Sequence, residues 1–303
     1  MRKTIYYYIA HHVFAVESEK MDCFLEQFKS GMPFLNATPI IDEILFTISL
    51  DETLPDWGMA SLPEWEINDL CRFDYEQSSC MFSRYKKGYL FRMDFLNGKE
   101  PLLMMKDNQI SCFHINYSMQ KHINIIDFKF ALWVAYGIAT APLHTVAMHA
   151  STIVYRQQAI LFLGESGTGK STQSRLWIEN IPKTRLLNDD SPIVRIINNI
   201  PIVFGSIWSG KKACYLDENY KIAAIVRVRQ AKANAIKRLH TLDSFAALYP
   251  SCPPMFAYDS ILSDYIHTII TTIIEQTPVF MLDCLPDDES ARLTYATIFK
   301  KIT

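Results

Sequence analysis

A chain of 303 residues with 49% hydrophobic and 20% charged side chains is long enough for two domains and too apolar to remain a disordered tail. Its formal net charge of −2 removes any general argument for nucleic acid or an anionic membrane as a partner. Seven cysteines, Cys23, Cys71, Cys80, Cys112, Cys214, Cys252 and Cys284, include no Cys-x-x-Cys pair and no metal-finger spacing, so they read as free thiols of a reducing cytoplasm rather than a disulfide framework.

From the N-terminus, Arg2 and Lys3 precede three tyrosines, His11, His12 and Glu17. This is too polar for the core of a signal peptide, and a strand is predicted. Residues 49–69 carry Pro55, Gly58, Pro63 and several acids and read as a loop. Residues 78–85 and 89–95 flank Lys86-Lys87-Gly88, a hairpin signal, and residues 102–106 and 110–115 repeat it around Asp107-Asn108. Residues 1–130 hold thirteen basic and eighteen acidic side chains, so this part is acidic and the remainder slightly basic. The prediction is a β-rich domain over 1–125 and a second domain over 126–303, with a helix over 127–141 leading into it. Residues 131–150 are apolar enough to suggest a membrane span, but Pro142, His144 and His149 interrupt them. A buried helix is expected, and no membrane.

In the second domain, residues 148–155 and 158–164 are strand-like and joined only by Arg156-Gln157. That link is too short for a helical crossover, so the pair must be antiparallel. A helix over 171–179 follows. Residues 185–190 end in Asn188-Asp189-Asp190, and 193–197 and 200–204 form another hairpin around Asn198-Asn199. Later elements are a strand over 223–228, a helix over 259–275, a strand over 278–283 and a closing helix over 287–299. The order departs from strict strand–helix alternation, so the predicted class is α+β with a mixed, largely antiparallel sheet. From Gly205 to His240 eight Lys or Arg stand against Asp217 and Glu218, which suits either a phosphate-facing surface or a solvated basic one.

Residues Gly164, Glu165, Ser166, Gly167, Thr168, Gly169, Lys170 and Ser171 form a complete phosphate-binding loop behind the apolar run 159–163, with Thr172 continuing into the helix. Glycines let the backbone curl until its N–H groups face one anion, and the helix start adds its positive dipole. Lys170 then reaches the β and γ phosphates of ATP, and the Ser171 hydroxyl ligates Mg²⁺. Nineteen and twenty residues after Lys170, the acids supply the remaining chemistry. Asp190 is assigned with Ser171 to the metal, and Asp189, itself a candidate metal residue, is assigned to deprotonating an acceptor hydroxyl; the two roles are interchangeable. Adjacent acids on a strand alternate sides, so both reach one site only at a strand end or turn, which Pro192 supports. Lys211, in Trp208-Ser209-Gly210-Lys211, is a further candidate phosphate contact.

Met148-His149-Ala150-Ser151, the glycine loop and Leu187-Asn188-Asp189-Asp190 together resemble, in order and spacing, ATP-dependent phosphoenolpyruvate carboxykinase and the catalytic domain of HPr kinase/phosphorylase. The resemblance covers residues 145–240 well, the rest of the second domain loosely and residues 1–125 not at all. It implies the mixed-sheet fold of those enzymes and transfer of a γ-phosphoryl group to a serine-like hydroxyl on a small molecule, peptide or protein. It also implies a role for His149, as a transition-metal ligand (Mn²⁺) in the carboxykinases or as a group beside the reacting phosphate in the HPr kinases. The oxaloacetate-binding arginines of carboxykinases have no counterpart here, and Gly205-Ser206-Ile207-Trp208 replaces the HPr kinase signature strand. The alternatives are a nucleotide-sensing module without efficient transfer and a small carboxykinase.

Overall fold

The computed structural model describes residues 1–36, 39, 43–50, 67–85, 88–107, 109–117, 124–210 and 213–299. The protein is α+β and divides into two units, Met1–Ala139 with Ala257–Asp259, and Thr140–Phe256 with Ser260–Thr303. The division falls after Ala139 rather than near residue 125, so the helix expected to lead into the second domain packs with the first.

In the first unit, β1 (Lys3–Ile9) and β2 (His12–Ser18) form a hairpin, followed by α1 (Met21–Gln27) and the strands β3 (Leu35–Asn36), β4 (Ile44–Leu50), β5 (Ile67–Tyr75), β6 (Ser78–Tyr85), β7 (Gly88–Phe95), β8 (Leu102–Asp107) and β9 (Cys112–Ile115). They make one nine-stranded sheet in the order β3-β1-β2-β4-β9-β8-β7-β6-β5. Both expected hairpins, β6–β7 and β8–β9, are present; most of the loop expected over 49–69 lies outside the described residues. Helix α2 (Ile125–Thr140) covers the sheet because its aromatic side chains have a matching surface. Tyr136 stands edge-on to Phe14 and Phe46, which stack on each other at 5.0 Å, and its hydroxyl donates to the Ile9 carbonyl. Among the described residues one helix, Ile125–Leu143, is long and apolar enough to cross a membrane, and 56% of its apolar window is buried within the protein.

The second unit is built on β10 (Thr145–Ala147), β11 (Ala150–Tyr155), β12 (Gln158–Leu163), β13 (Arg185–Asp190), β14 (Ile193–Ile197), β15 (Ile200–Phe204), β16 (Asn219–Gln230), β17 (Ala235–Arg238) and β18 (Val279–Cys284). The helices are α3 (Lys170–Asn180), α4 (Thr241–Leu248), α5 (Ser260–Gln276) and α6 (Asp288–Phe299). The sheet order is β10-β14-β15-β16-β12-β11-β13, with β18 beside β16 and β17. Only the β12–β16 and β16–β18 pairs are parallel; the rest are antiparallel. Strand β16 is long enough to take two partners on one edge, β15 along its first residues and β18 from Ile225 onward. Strand β12 is buried from Ala159 to Leu163, as a strand covered on both faces must be. Helix α3 is fastened over it by Trp177, which is fully buried among Tyr155, Phe162, Tyr295 and Phe299.

The strand expected over 148–155 begins at Ala150, and a separate short strand, which was not expected, precedes it. Residues 145–147 pair with β14 and residues 150–155 with β12 and β13, at opposite ends of the sheet order. Met148 and His149 carry the chain across, and their backbone N–H groups donate to the carbonyls of Pro192 and Ser251. Hydrophobic pattern reports that a segment is buried and extended, not which neighbour it pairs with.

Candidate active site

The glycine-rich loop leaves the C-terminal end of β12 and turns into α3. Gly164 has φ 151°, and a Cβ there would stand 2.5 Å from Thr168 Oγ1 and 3.1 Å from the Val228 carbonyl oxygen. Gly169, at φ 108°, caps α3 without a side-chain hydrogen bond, which leaves the first-turn N–H groups for a ligand. Thr168 Oγ1 donates to the Glu165 carbonyl at 2.8 Å, and Gln230 of β16 donates to the Gly167 carbonyl at 3.0 Å. The loop is thus held from both sides. Lys170, only 9% exposed, donates to the Gly164 and Glu165 carbonyls at 2.9 and 3.0 Å. Burial lowers its pKa, although Asp190 and Asp189 both act to raise it. The charged ammonium is therefore under-solvated, and an anion placed beside it would offset that cost.

Strand β13 delivers the two acids. Asp189, 9% exposed, accepts from the Ser171 hydroxyl at 2.9 Å, whereas Asp190 Oδ1 lies 3.5 Å from His149 Nδ1, with both side chains about half exposed at 45%. Successive strand residues face opposite ways, so the carboxylates take different neighbours while both remain close enough to Lys170 to act on it. Of the two acids, whose roles the sequence left interchangeable, Asp189 is the one that faces the Ser171 hydroxyl. Asp190 has φ 148°, a strained value for a residue with a Cβ. Asp190→Gly is expected to be more stable than Asp190→Ala by about 1 kcal/mol, because only glycine relieves that strain; urea denaturation of the two variants checks this.

Residues 205–210 close against the acids. Gly210 N–H donates to the Asp189 carbonyl at 2.6 Å, and a Cβ on Gly210 would meet that oxygen at 3.1 Å. Buried Asn188 holds the arrangement, donating to Ser206 Oγ and the Trp208 carbonyl and accepting from Ser191 N–H. Lys211 lies outside the described residues. Sequence reasoning missed Asn188 as an organiser and Arg227 entirely. Arg227 stands on β16 level with Leu163, donates to the Ala247 carbonyl at 2.8 Å and comes within 4.0 Å of Glu165. Its only signal in the sequence was the basic run that begins at Gly205.

Among the described residues no group of three or more His, Cys, Asp or Glu side chains is arranged to hold a metal ion. The oxygens of Ser171 and Asp189 do converge to 2.9 Å, and two hard oxygens beside a phosphate-binding loop fit Mg²⁺, which keeps several waters and takes few protein ligands. The seven cysteines are all free thiols. No family model matches the sequence, and no curated protein matches it.

Proposed function

We propose that the protein is an ATP-dependent phosphotransferase that moves the γ-phosphoryl group to a serine-like hydroxyl of a small molecule, peptide or protein. The observation that carries this reading is the meeting of Lys170, the Ser171–Asp189 pair and the His149–Asp190 pair around one glycine-rich loop. Loop N–H groups and Lys170 bind and orient the phosphates. Ser171 and Asp189 would hold Mg²⁺, which when bound neutralises phosphate charge. Asp190, more exposed and beside His149, accepts the acceptor's proton, and His149 steadies charge at the transferring group. The order His149, loop, acid pair is what resembles the HPr kinases and ATP-dependent carboxykinases, and the mixed sheet is compatible with their fold. Free thiols fit a cytoplasmic setting.

The direct test is incubation with γ-labelled ATP, Mg²⁺ and a metabolite or peptide pool. A labelled product supports the reading, and retained nucleotide binding with no labelled product leaves a sensing module instead. Binding itself is read by melting: Mg-ATP at a hundredfold over its Kd is expected to add about 2.7 kcal/mol, and a melting temperature unmoved by millimolar Mg-ATP would remove the premise.

His149→Ala is expected to slow transfer by about 10²-fold while Mn²⁺ affinity without nucleotide stays negligible in both forms, since among the described residues Asp190 alone pairs with this imidazole. Paramagnetic titration decides the point. Tight Mn²⁺ binding by the wild type, lost in His149→Ala, would favour the carboxykinase type of site.

A further inference from the structure

The second unit holds another cleft, of about 380 Å³, where the turn from β17 into α4 meets the turn from α5 into β18. Its walls are partly apolar, but its polar lining is of one kind. Arg238, His240, Thr241, Ser244 and Thr277 contribute to it, and no acidic side chain does. Helix α4 begins at this point, with His240 as an extended N-cap whose side chain makes no capping bond. The first-turn N–H groups and the positive end of the helix are thereby left to whatever occupies the cleft. The acid of that first turn, Asp243, is exposed and outside the lining.

A second observation points independently to a ligand. Ser244 is 2% exposed, and its hydroxyl, which lines the cleft, makes no hydrogen bond among the described residues. A buried hydroxyl left unpaired is costly and uncommon in native proteins, and an acceptor oxygen in the cleft would satisfy it. Arg238 forms no ion pair among the described residues, so its planar set of donors is uncommitted and suited to a carboxylate or phosphate. The volume suits a small metabolite rather than a bare ion.

We propose that this cleft binds the phosphate or carboxylate group of a small metabolite at a site separate from the glycine-rich loop. Strand β16 lies between β12, which carries the loop, and β18, which borders the cleft, a lateral offset of about 10 Å at ordinary strand spacing. The far end of α4 is tied to the loop: Ala247, about 9 Å along the helix from Thr241, receives the hydrogen bond of Arg227, which approaches Glu165. An anion that fixes the start of α4 therefore also restrains the helix whose far end holds Arg227 beside the loop.

The experiment is a titration of the full chain with inorganic phosphate and, separately, with acetate at constant ionic strength, followed by amide NMR. Saturable shifts of the Thr241, Leu242 and Asp243 amides are expected, with Kd raised at least tenfold in Arg238→Ala and at least threefold in Ser244→Ala, which removes only the hydroxyl. Tighter binding of phosphate assigns the site to phosphorylated ligands, and tighter binding of acetate assigns it to carboxylates. Shifts at these amides that do not saturate, or a Kd unchanged in both variants, would overturn the proposal. The proposal does not rest on phosphoryl transfer. Gly167 and Gly169 amides report Mg-ATP in the same spectra, so a failure at the loop and a failure at the cleft are read separately.

Discussion

Asp190→Asn is expected to bind Mg-ATP with near wild-type affinity and to transfer phosphoryl groups 10² to 10⁴ times more slowly, the usual range for loss of a general base. The amide keeps the size of the side chain and its contact distance to His149 but cannot take a proton. Asp189→Asn should behave differently, since its carboxylate faces the Ser171 hydroxyl and its proposed partner is the metal. Here Mg²⁺-dependent nucleotide affinity falls, and turnover falls with it. Lys170→Ala should weaken nucleotide binding with or without metal, because no other side chain within the loop carries a positive charge. Equilibrium binding and single-turnover transfer, measured on all three variants, separate the assignments. If Asp189→Asn keeps nucleotide affinity and loses transfer while Asp190→Asn loses affinity, the two carboxylates have the opposite roles.

Trp177→Ala is expected to cost about 3–5 kcal/mol of stability, the range for deleting a large aromatic from a packed core. Trp177 is the largest fully buried side chain of the second unit and touches four aromatic rings from three elements. Its loss would loosen α3, and with it the loop that α3 terminates. The indole nitrogen has no hydrogen-bond partner, so Trp177→Phe gives up part of the packing and no hydrogen bond. That variant should fall well short of the alanine variant in cost. Chemical denaturation of both decides the matter; equal losses would mean that the full volume of the indole, and not a single aromatic ring, is needed to hold the helix.

Much of this was readable in the sequence where local pattern and tertiary outcome coincide. An apolar run, a glycine loop and a helix are consecutive in the chain and stay consecutive in space, so β12, the loop and α3 could be placed without knowing anything else. The same holds for the hairpins around 86–88, 107–108, 156–157 and 198–199, where the connection is too short for any other arrangement. The misses are of another kind. That residues 145–147 form a strand depends on a partner, β14, that comes later in the chain, and the allegiance of α2 depends on aromatic rings such as Phe14, over a hundred residues earlier. Short helices such as α1 and α4 offer too few residues for a period to emerge. The pairing of Ser171 with Asp189 rather than Asp190 follows from which face of β13 meets α3, a single-residue parity that no spacing from Lys170 could decide.

The two-partner edge of β16 has a consequence for the order in which the protein can be made. Residues 225–230 complete their hydrogen bonds only with 279–284, which leave the ribosome some fifty residues later. At about 5–20 residues per second, that strand edge waits for roughly 3–10 s with its backbone groups unpaired, although the glycine loop beside it has already been synthesised. An open strand edge invites pairing with another chain. The nascent protein is therefore most exposed to misassembly during the interval in which α4 and α5 are being produced, and these two helices are what the growing chain must fold before β18 can close the sheet.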